Sequence, residues 1–297
     1  MNMYDQISSN KVKSVMLVMV FMAIIIGLGY LFASYTRFPY ILPLAVILSI
    51  VTSIGSYYYS DTIVLQMSQA REVTKDEYPH LVYSVEGLAL AAGLPAPRTY
   101  VIEDSAPNAF ATGRDPKHAA IAVTTGLLDK LDRNELEGVI AHEMSHIKDY
   151  DIRLMALVAV LAGTVVLISD WLLRSMWWGG GRRDNDRENN SSDGIIMIAA
   201  LVAAILAPIA ATLIQLAVSR KREYMADAQG ALLTRYPKGL ADALRKISAD
   251  PDPLEAANKA TAHMYICNPL HDYGGWLNSL FSTHPPIDER IRRLEAM

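Results

Sequence analysis

Cysteine is nearly absent from this chain of 297 residues, which holds only Cys267. No intrachain disulfide is possible, and any metal site has to be built from histidines and carboxylates. A lone thiol fits a reducing compartment. An excess of basic charge is missing as well. Lys and Arg number 27 against 31 Asp and Glu, a formal net charge of −4, so the chain lacks the electrostatic footprint of a nucleic-acid binder. No internal repeat is visible, and the only biased tract is the Gly/Asn-rich stretch at 175–194.

Apolar residues are what the chain has in quantity. They make up 52% of it against 20% charged residues, and they gather into four long blocks, the pattern of membrane spans rather than of an oversized core. The first, residues 14–33, is about 20 residues without a charge, enough to cross a hydrocarbon layer of ~30 Å as a helix. The second, residues 38–59, follows after a very short link through Arg37 and predicts a helical hairpin with Tyr57, Tyr58 and Tyr59 at an interface. Lys11 and Lys13 precede the first block as they would in a signal peptide. Its length and the span that follows at once favour a retained hairpin.

The third block, residues 154–173, carries Asp170 near its far end. The fourth, residues 195–218, contains Pro208, which a membrane helix accommodates. The loop between them, 175–194, reads as flexible and exposed, with Trp171, Trp177 and Trp178 at the interface beside it. Lys11, Lys13 and the cluster Arg220, Lys221, Arg222 favour cytoplasmic termini, whereas Arg174, Arg182, Arg183 and Arg187 pull the other way. Four spans put both ends and the 60–150 region on one face. Full crossing by the third and fourth blocks competes with partial burial against protein.

The remainder reads as soluble. "TIVLQM" looks like a short strand. The stretch from Asp76 to Gly93 has Leu81, Val85, Leu88 and Ala92 at helical spacing and ends on a C-cap glycine. "RTYVIE" and "HAAIAVTTG" read as strands, with "PNAFATG" connecting them. Asp132 with Glu135 three residues on is a capping box that opens a helix. After the fourth block, 219–233, "KGLADALRKISA" and "DPLEAANKATAHMY" read as helices, and "STHPPIDERIRRLEAM" closes with a short basic one.

The chemistry gathers on "AHEMSHIKDYD", residues 141–151. His142 and His146, four apart, share one helical face and can both reach a zinc ion at about 2.0–2.1 Å. Glu143 lies about 100° round the helix, out of place as a ligand but within reach of a water at the metal. Two ligands and a general base within five residues is zinc-peptidase logic. A catalytic zinc needs a third protein ligand. "REYMAD" at 222–227 offers Glu223 to complete a His₂Glu set, and Asp227 one turn on to accept a histidine's other ring N–H. Such an acidic pair beside basic residues equally describes a solvated helix face, and the histidine pair is what makes it a candidate. Asp149 reads as a cap or interface residue. His80, His118, His263 and His271 have no partner at ligand spacing and read as surface residues.

Together these stretches resemble the HtpX family of membrane-bound zinc metallopeptidases, gluzincin-type enzymes related to CAAX prenyl endopeptidases. The likeness spans an N-terminal hairpin, "NAFATG", "AHEMSHIKDYD", two further apolar blocks, "EYMAD" and "STHPP". It implies one Zn²⁺ per chain held by His142, His146 and Glu223, with Glu143 as general base and Asp227 behind His142. It implies that Asn108, Ala109 and Phe110 lead into an edge strand that grips substrate backbone, although Asn108 also suits a plain turn. It implies that His284, in Thr-His-Pro, stands near the reacting carbonyl; the same residue also suits a loop at a helix start.

The implied fold is mostly α with a small β-sheet, an α+β zincin-like catalytic domain attached to about four transmembrane helices. The N-terminal hairpin is 1–59, the first part of the catalytic domain 60–151, the third and fourth membrane segments 152–218, and the second part of the catalytic domain 219–297. The implied activity is endopeptidase cleavage of unfolded or damaged membrane proteins, a quality-control role, in a multi-pass cell-membrane protein with its catalytic domain and both termini cytoplasmic. Its partners would be protein or peptide substrates and the lipid bilayer, without nucleic acid. A CAAX-type endopeptidase of lipidated proteins and a catalytically silent zinc-binding membrane scaffold are the alternatives. The intact Glu143 counts against the scaffold, and four blocks count against the CAAX type.

Overall fold

A computed structural model describes residues 3–36, 38–179, 219–257, 260–267, 269 and 285–297. The apolar blocks at the N-terminus form two long helices, α1 (Met3–Thr36) and α2 (Ile41–Met67), joined by a tight turn. Their close approach rests on small residues. A Cβ at Gly29 would lie 2.3 Å from the Ala45 Cβ, so only glycine fits that crossing. On α2, Ser49, Ser53, Ser56 and Ser60 are buried at spacings of four, three and four, which is one helical face. The opposite flanks stay bare: Val15, Met16, Met19 and Val20 on α1, and Leu44, Ile47, Val51 and Ile54 on α2, are exposed as lipid-facing side chains should be. "TIVLQM" is not a strand. It forms the last turns of α2, where Val64 and Leu65 dock on the sheet.

The sheet has the order β1-β2-β4-β3, built from β1 (Arg71–Glu72), β2 (Arg98–Ile102), β3 (Ala109–Gly113) and β4 (Ala119–Thr124). β2 and β4 are parallel and the other two pairings antiparallel. "PNAFATG", read above as a connection, supplies β3, and its short side chains let helices cover both sides of the strand. Alternate residues go to opposite cores. Val101, Ala109, Ala111, Ile121 and Val123 face α3 (Pro79–Ala92) and the helix of the histidine motif. Tyr100, Ile102, Phe110, Ala120 and Ala122 face Val64, Leu65, Met155, Ala156 and Ala159 from the membrane helices. One thin sheet therefore separates α3 and the helix of the histidine motif from the apolar helices.

α3 ends at Gly93, whose φ of 71° is the left-handed cap that its sequence predicts. Short α4 (Thr125–Lys130) precedes α5 (Arg133–Lys148), which opens with the expected capping box. The Asp132 carboxylate accepts from Glu135 N–H at 3.0 Å, and Glu135 returns the bond to Asp132 N–H at 2.7 Å. α6 (Asp151–Gly179) contains the third apolar block. Leu17, Phe21 and Ile25 of α1 pack on its Leu154, Leu157, Leu161 and Val165.

Among the described residues three helices are long and apolar enough to cross a membrane: Ile7–Tyr30, Ile41–Met67 and Asp151–Ile168. The third is 67% buried inside the protein, against 28% and 17% for the others, so most of its surface packs on the rest of the protein. The fourth block and most of the 175–194 loop lie outside the described residues.

The chain resumes with α7 (Arg220–Thr234), α8 (Pro237–Ala249) and α9 (Ile287–Glu295). "DPLEAANKATAHMY" departs from expectation. Among its described residues only a 3₁₀ turn, Ala262–Met264, is helical. Leu254, Met264 and Tyr265 instead insert one by one into the membrane-side core, where Tyr265 meets Phe110 edge-on at 5.0 Å. His263, expected on the surface, is buried, and its Nε2 lies 3.1 Å from the Met155 carbonyl. His80 and His118 are exposed as expected, and His271 lies outside the described residues. The molecule is thus mostly helical, with a small mixed sheet and membrane helices attached.

Candidate metal centre and active site

Helix α5 is buried along almost its whole length, from Leu136 to Ile147 apart from Glu137, and presents His142 and His146 side by side. Their rings cross at 85° with centroids 4.8 Å apart, and the two Nε2 atoms stand 3.2 Å from one another. Helix α7 comes against this face because Gly230 sits over His142. A Cβ at Gly230 would meet the His142 backbone N at 3.0 Å and Cα at 3.2 Å. That contact delivers Glu223. Its Oε2 lies 3.7 Å from His142 Nε2 and its Oε1 3.6 Å from His146 Nε2. One ligand atom from each of the three side chains falls within a 4.8 Å group, and all three residues are buried.

The outer nitrogens of both rings are already engaged. His142 Nδ1 donates to Asp227 Oδ1 at 3.0 Å, and His146 Nδ1 donates to Asp151 Oδ2 at 3.0 Å. In the neutral ring each Nε2 is thereby the acceptor that turns inward. Arg290, fully buried on α9, clamps Asp227 with Nε at 2.9 Å and Nη2 at 2.7 Å, and its Nη1 reaches the Ile266 carbonyl at 2.9 Å. Arg222 reaches Asp151 at 3.3 Å.

These residues fit a divalent cation. Glu143, Glu223, Asp151 and Asp227 bring four carboxylates against the two guanidiniums of Arg222 and Arg290, so acidic groups outnumber these basic ones in a buried place. Two inward imidazole acceptors and a carboxylate are also the donor set that such a cation takes.

The electrostatics carry the same imbalance. Burial alone would push His146 down, but the bond to Asp151 and the charges of Glu223, Asp151 and Glu143 overcome it and raise the imidazole to about 9. Burial would raise Asp227, yet the Arg290 charge and the bonds from His142 and Arg290 hold it well below the usual carboxylate range. Glu143 is raised by burial and by Glu223, opposed by both histidines and by the Ala111 backbone N–H. Among the described residues, one of its oxygens has no hydrogen-bond partner.

The other expected residues divide. Asp149 is the C-cap residue of α5. β3 is an edge strand, beside α5; Asn108 directly precedes it and Ala109 and Phe110 begin it, all three buried. Asn108 donates to the Cys267 carbonyl at 3.1 Å, and Thr124 N–H bonds to the Asn108 carbonyl at 3.0 Å, so Asn108 serves the interior. Ile266 N–H takes the Ala109 carbonyl at 2.9 Å. His284 lies outside the described residues.

Three neighbours of the site escaped sequence reasoning. Asp151 sits inside the run that carries the histidines, but beyond the helix end. Tyr150, with φ 61°, reverses the chain and swings Asp151 back onto His146. Arg290 read as one charge among several on a basic helix, and Arg222 as part of a membrane-flanking cluster. No local periodicity marks any of the three.

Residues 75–297 match the model of Peptidase family M48. Over 99% of its length the chain is 49% identical to a "Protease HtpX homolog" of Dictyoglomus thermophilum, covering 94% of that protein. It is 47% identical to one from Tropheryma whipplei and 46% identical to one from Ligilactobacillus salivarius, each over 99% of this chain, covering 98% and 100% of those proteins. A crystal structure of S. mikatae Ste24p aligns with a TM-score of 0.49 at 22% identity, covering 98% of this chain and 67% of that one.

Proposed function

Because this chain belongs to Peptidase family M48, we propose that it is a membrane-bound zinc endopeptidase whose metal is held by His142, His146 and Glu223 and whose general base is Glu143. The convergence of those three ligands beside Glu143 carries the reading. When bound, zinc supplies Lewis-acid chemistry, lowering the pKa of water toward about 7 and polarising the scissile carbonyl. The chain's own residues do the rest. Glu143, fixed next to His142 on a buried helix, takes the proton from the water that attacks the carbonyl and hands it to the departing amine. Asp227 and Asp151 hold both rings in one tautomer with Nε2 inward. Arg290 keeps Asp227 ionised in its buried place.

Substrate backbone pairs with the outer edge of β3, where main-chain bonding gives grip without demanding a sequence. The Ala109 carbonyl on that edge is taken by Ile266, so the pairing falls to the strand beyond it, past Asn108, Ala109 and Phe110. His284 stabilises the developing oxyanion in this reading. The motif helix stops at Lys148 and a candidate membrane span starts at Asp151, so the cleft stands at the membrane surface. That placement favours unfolded or damaged membrane proteins cut in exposed loops. The protein is multi-pass, with its catalytic domain and both termini on the cytoplasmic side.

The test is Glu143→Gln in the full chain. We expect it to bind zinc as the wild type does and to lose cleavage of an unfolded casein-type substrate by at least 10²-fold, the low end of what a positioned acid–base group contributes. Full activity in that variant would remove the proposed base.

A further inference from the structure

We infer that Asn10, on the first membrane helix, is a positioning residue for the metal site, acting through Asp151 on His146. The inference rests on the zinc reading above. The two ligand histidines are served by similar but unequal supports. Behind His142, Asp227 is gripped by two Arg290 nitrogens at 2.7 and 2.9 Å. Behind His146, Asp151 has a single guanidinium contact, from Arg222 at 3.3 Å. That is a weaker clamp for an equivalent task.

Asn10 makes up the difference. Its Nδ2 donates to Asp151 Oδ1 at 2.6 Å and to the Asp149 carbonyl at 3.0 Å, while its Oδ1 accepts from Arg222 Nη1 at 3.3 Å. Both halves of one carboxamide are thus in use, and the four side chains involved, Asn10, His146, Asp151 and Arg222, are all buried. The amide joins three segments that carry the site: α1, the corner between α5 and α6, and the residue just before Glu223. A buried amide is costly unless bonded, and here its two ends are bonded to Asp151 and Arg222, the pair behind His146, and to the backbone at the end of α5. Local packing does not require it. One turn along the same buried face, the Ser14 hydroxyl donates to the Asn10 backbone carbonyl at 2.8 Å and, among the described residues, reaches nothing beyond. The N-terminal hairpin is therefore an anchor and also one wall of the metal centre.

Partners standing behind a metal ligand are worth 10–100-fold in metal affinity. The experiment measures zinc affinity of the full chain in detergent, by competition with a chromophoric chelator, well below the melting temperature. We expect Asn10→Leu to bind zinc roughly ten-fold more weakly than the wild type, and Ser14→Ala to match the wild type. In an Asp151→Asn background, adding Asn10→Leu should change affinity by less than about two-fold, because the carboxylate charge that Asn10 holds against His146 is already gone. Asn10→Ala, which removes the amide without adding bulk, is read in the same way should the leucine variant fail to fold. Wild-type affinity in the Asn10 variants, or an undiminished effect in the Asp151→Asn background, overturns the inference while leaving the zinc site standing. A wild type whose zinc does not depend on His142 overturns both.

Discussion

Arg290 shows how far a single residue can be from its sequence appearance. In "DERIRRLE" it is one of several charges on a short basic helix, yet it is fully buried and shares two hydrogen bonds with Asp227. Removing one partner of a buried pair leaves the other charge uncompensated. Arg290→Met should therefore cost on the order of 3–5 kcal/mol, read by denaturant unfolding of the detergent-solubilised protein. A loss below about 1 kcal/mol, the scale of a surface pair, would mean that the clamp is not closed in solution. Cys267 gives a second residue-level expectation. Burial pushes its thiol up to about 12, so hardly any thiolate exists at pH 8. A thiol reagent should label the native protein slowly at that pH and the unfolded protein fast; equal rates would contradict the buried assignment. What was legible at this scale was what helical spacing encodes. His142, Glu143, His146, Glu223 and Asp227 stand at fixed offsets on two helices, whereas Asp151, Arg222 and Asn10 reach the site through a chain reversal and a helix crossing that no spacing announces.

Among elements, the crossing of α5 and α7 decides whether a ligand set exists at all. Gly230 lets α7 lie against the His142 backbone, at 3.0 Å from a would-be Cβ to the His142 N. Gly230→Ala favours the isolated helix by about 1 kcal/mol, but it must push the helices apart by a few tenths of an ångström and carry Glu223 with it. Zinc affinity should therefore fall several-fold although helix propensity improves, as calorimetric titration would measure. Unchanged affinity would show that the crossing tolerates the methyl group. Elements with a cap or a strong period were readable: the Asp132–Glu135 box of α5, Gly93 after α3, and the apolar helices. "TIVLQM", read as a strand, is helix and "PNAFATG", read as a connection, is a strand, because each is a short run whose state its neighbours choose. "TIVLQM" continues an existing helix. "PNAFATG" finds β4 beside it, pairing Phe110 with Ala122.

For the molecule as a whole, the sheet sets the catalytic helices on one side and the apolar helices on the other, and α6 belongs to both. Two thirds of its candidate span is covered by protein, which explains why composition alone divided it between membrane and core. The proposed metal site draws on residues from Asn10 to Arg290, so cation binding and global stability should be coupled. The central claim, that His142, His146 and Glu223 hold one divalent cation between them, is tested most directly by metal analysis of the purified full chain beside matched His142→Ala and Glu223→Ala proteins. The account predicts about one zinc per wild-type chain, at the ligand number expected of a catalytic site, and far less in both variants. Equal metal in all three would contradict it.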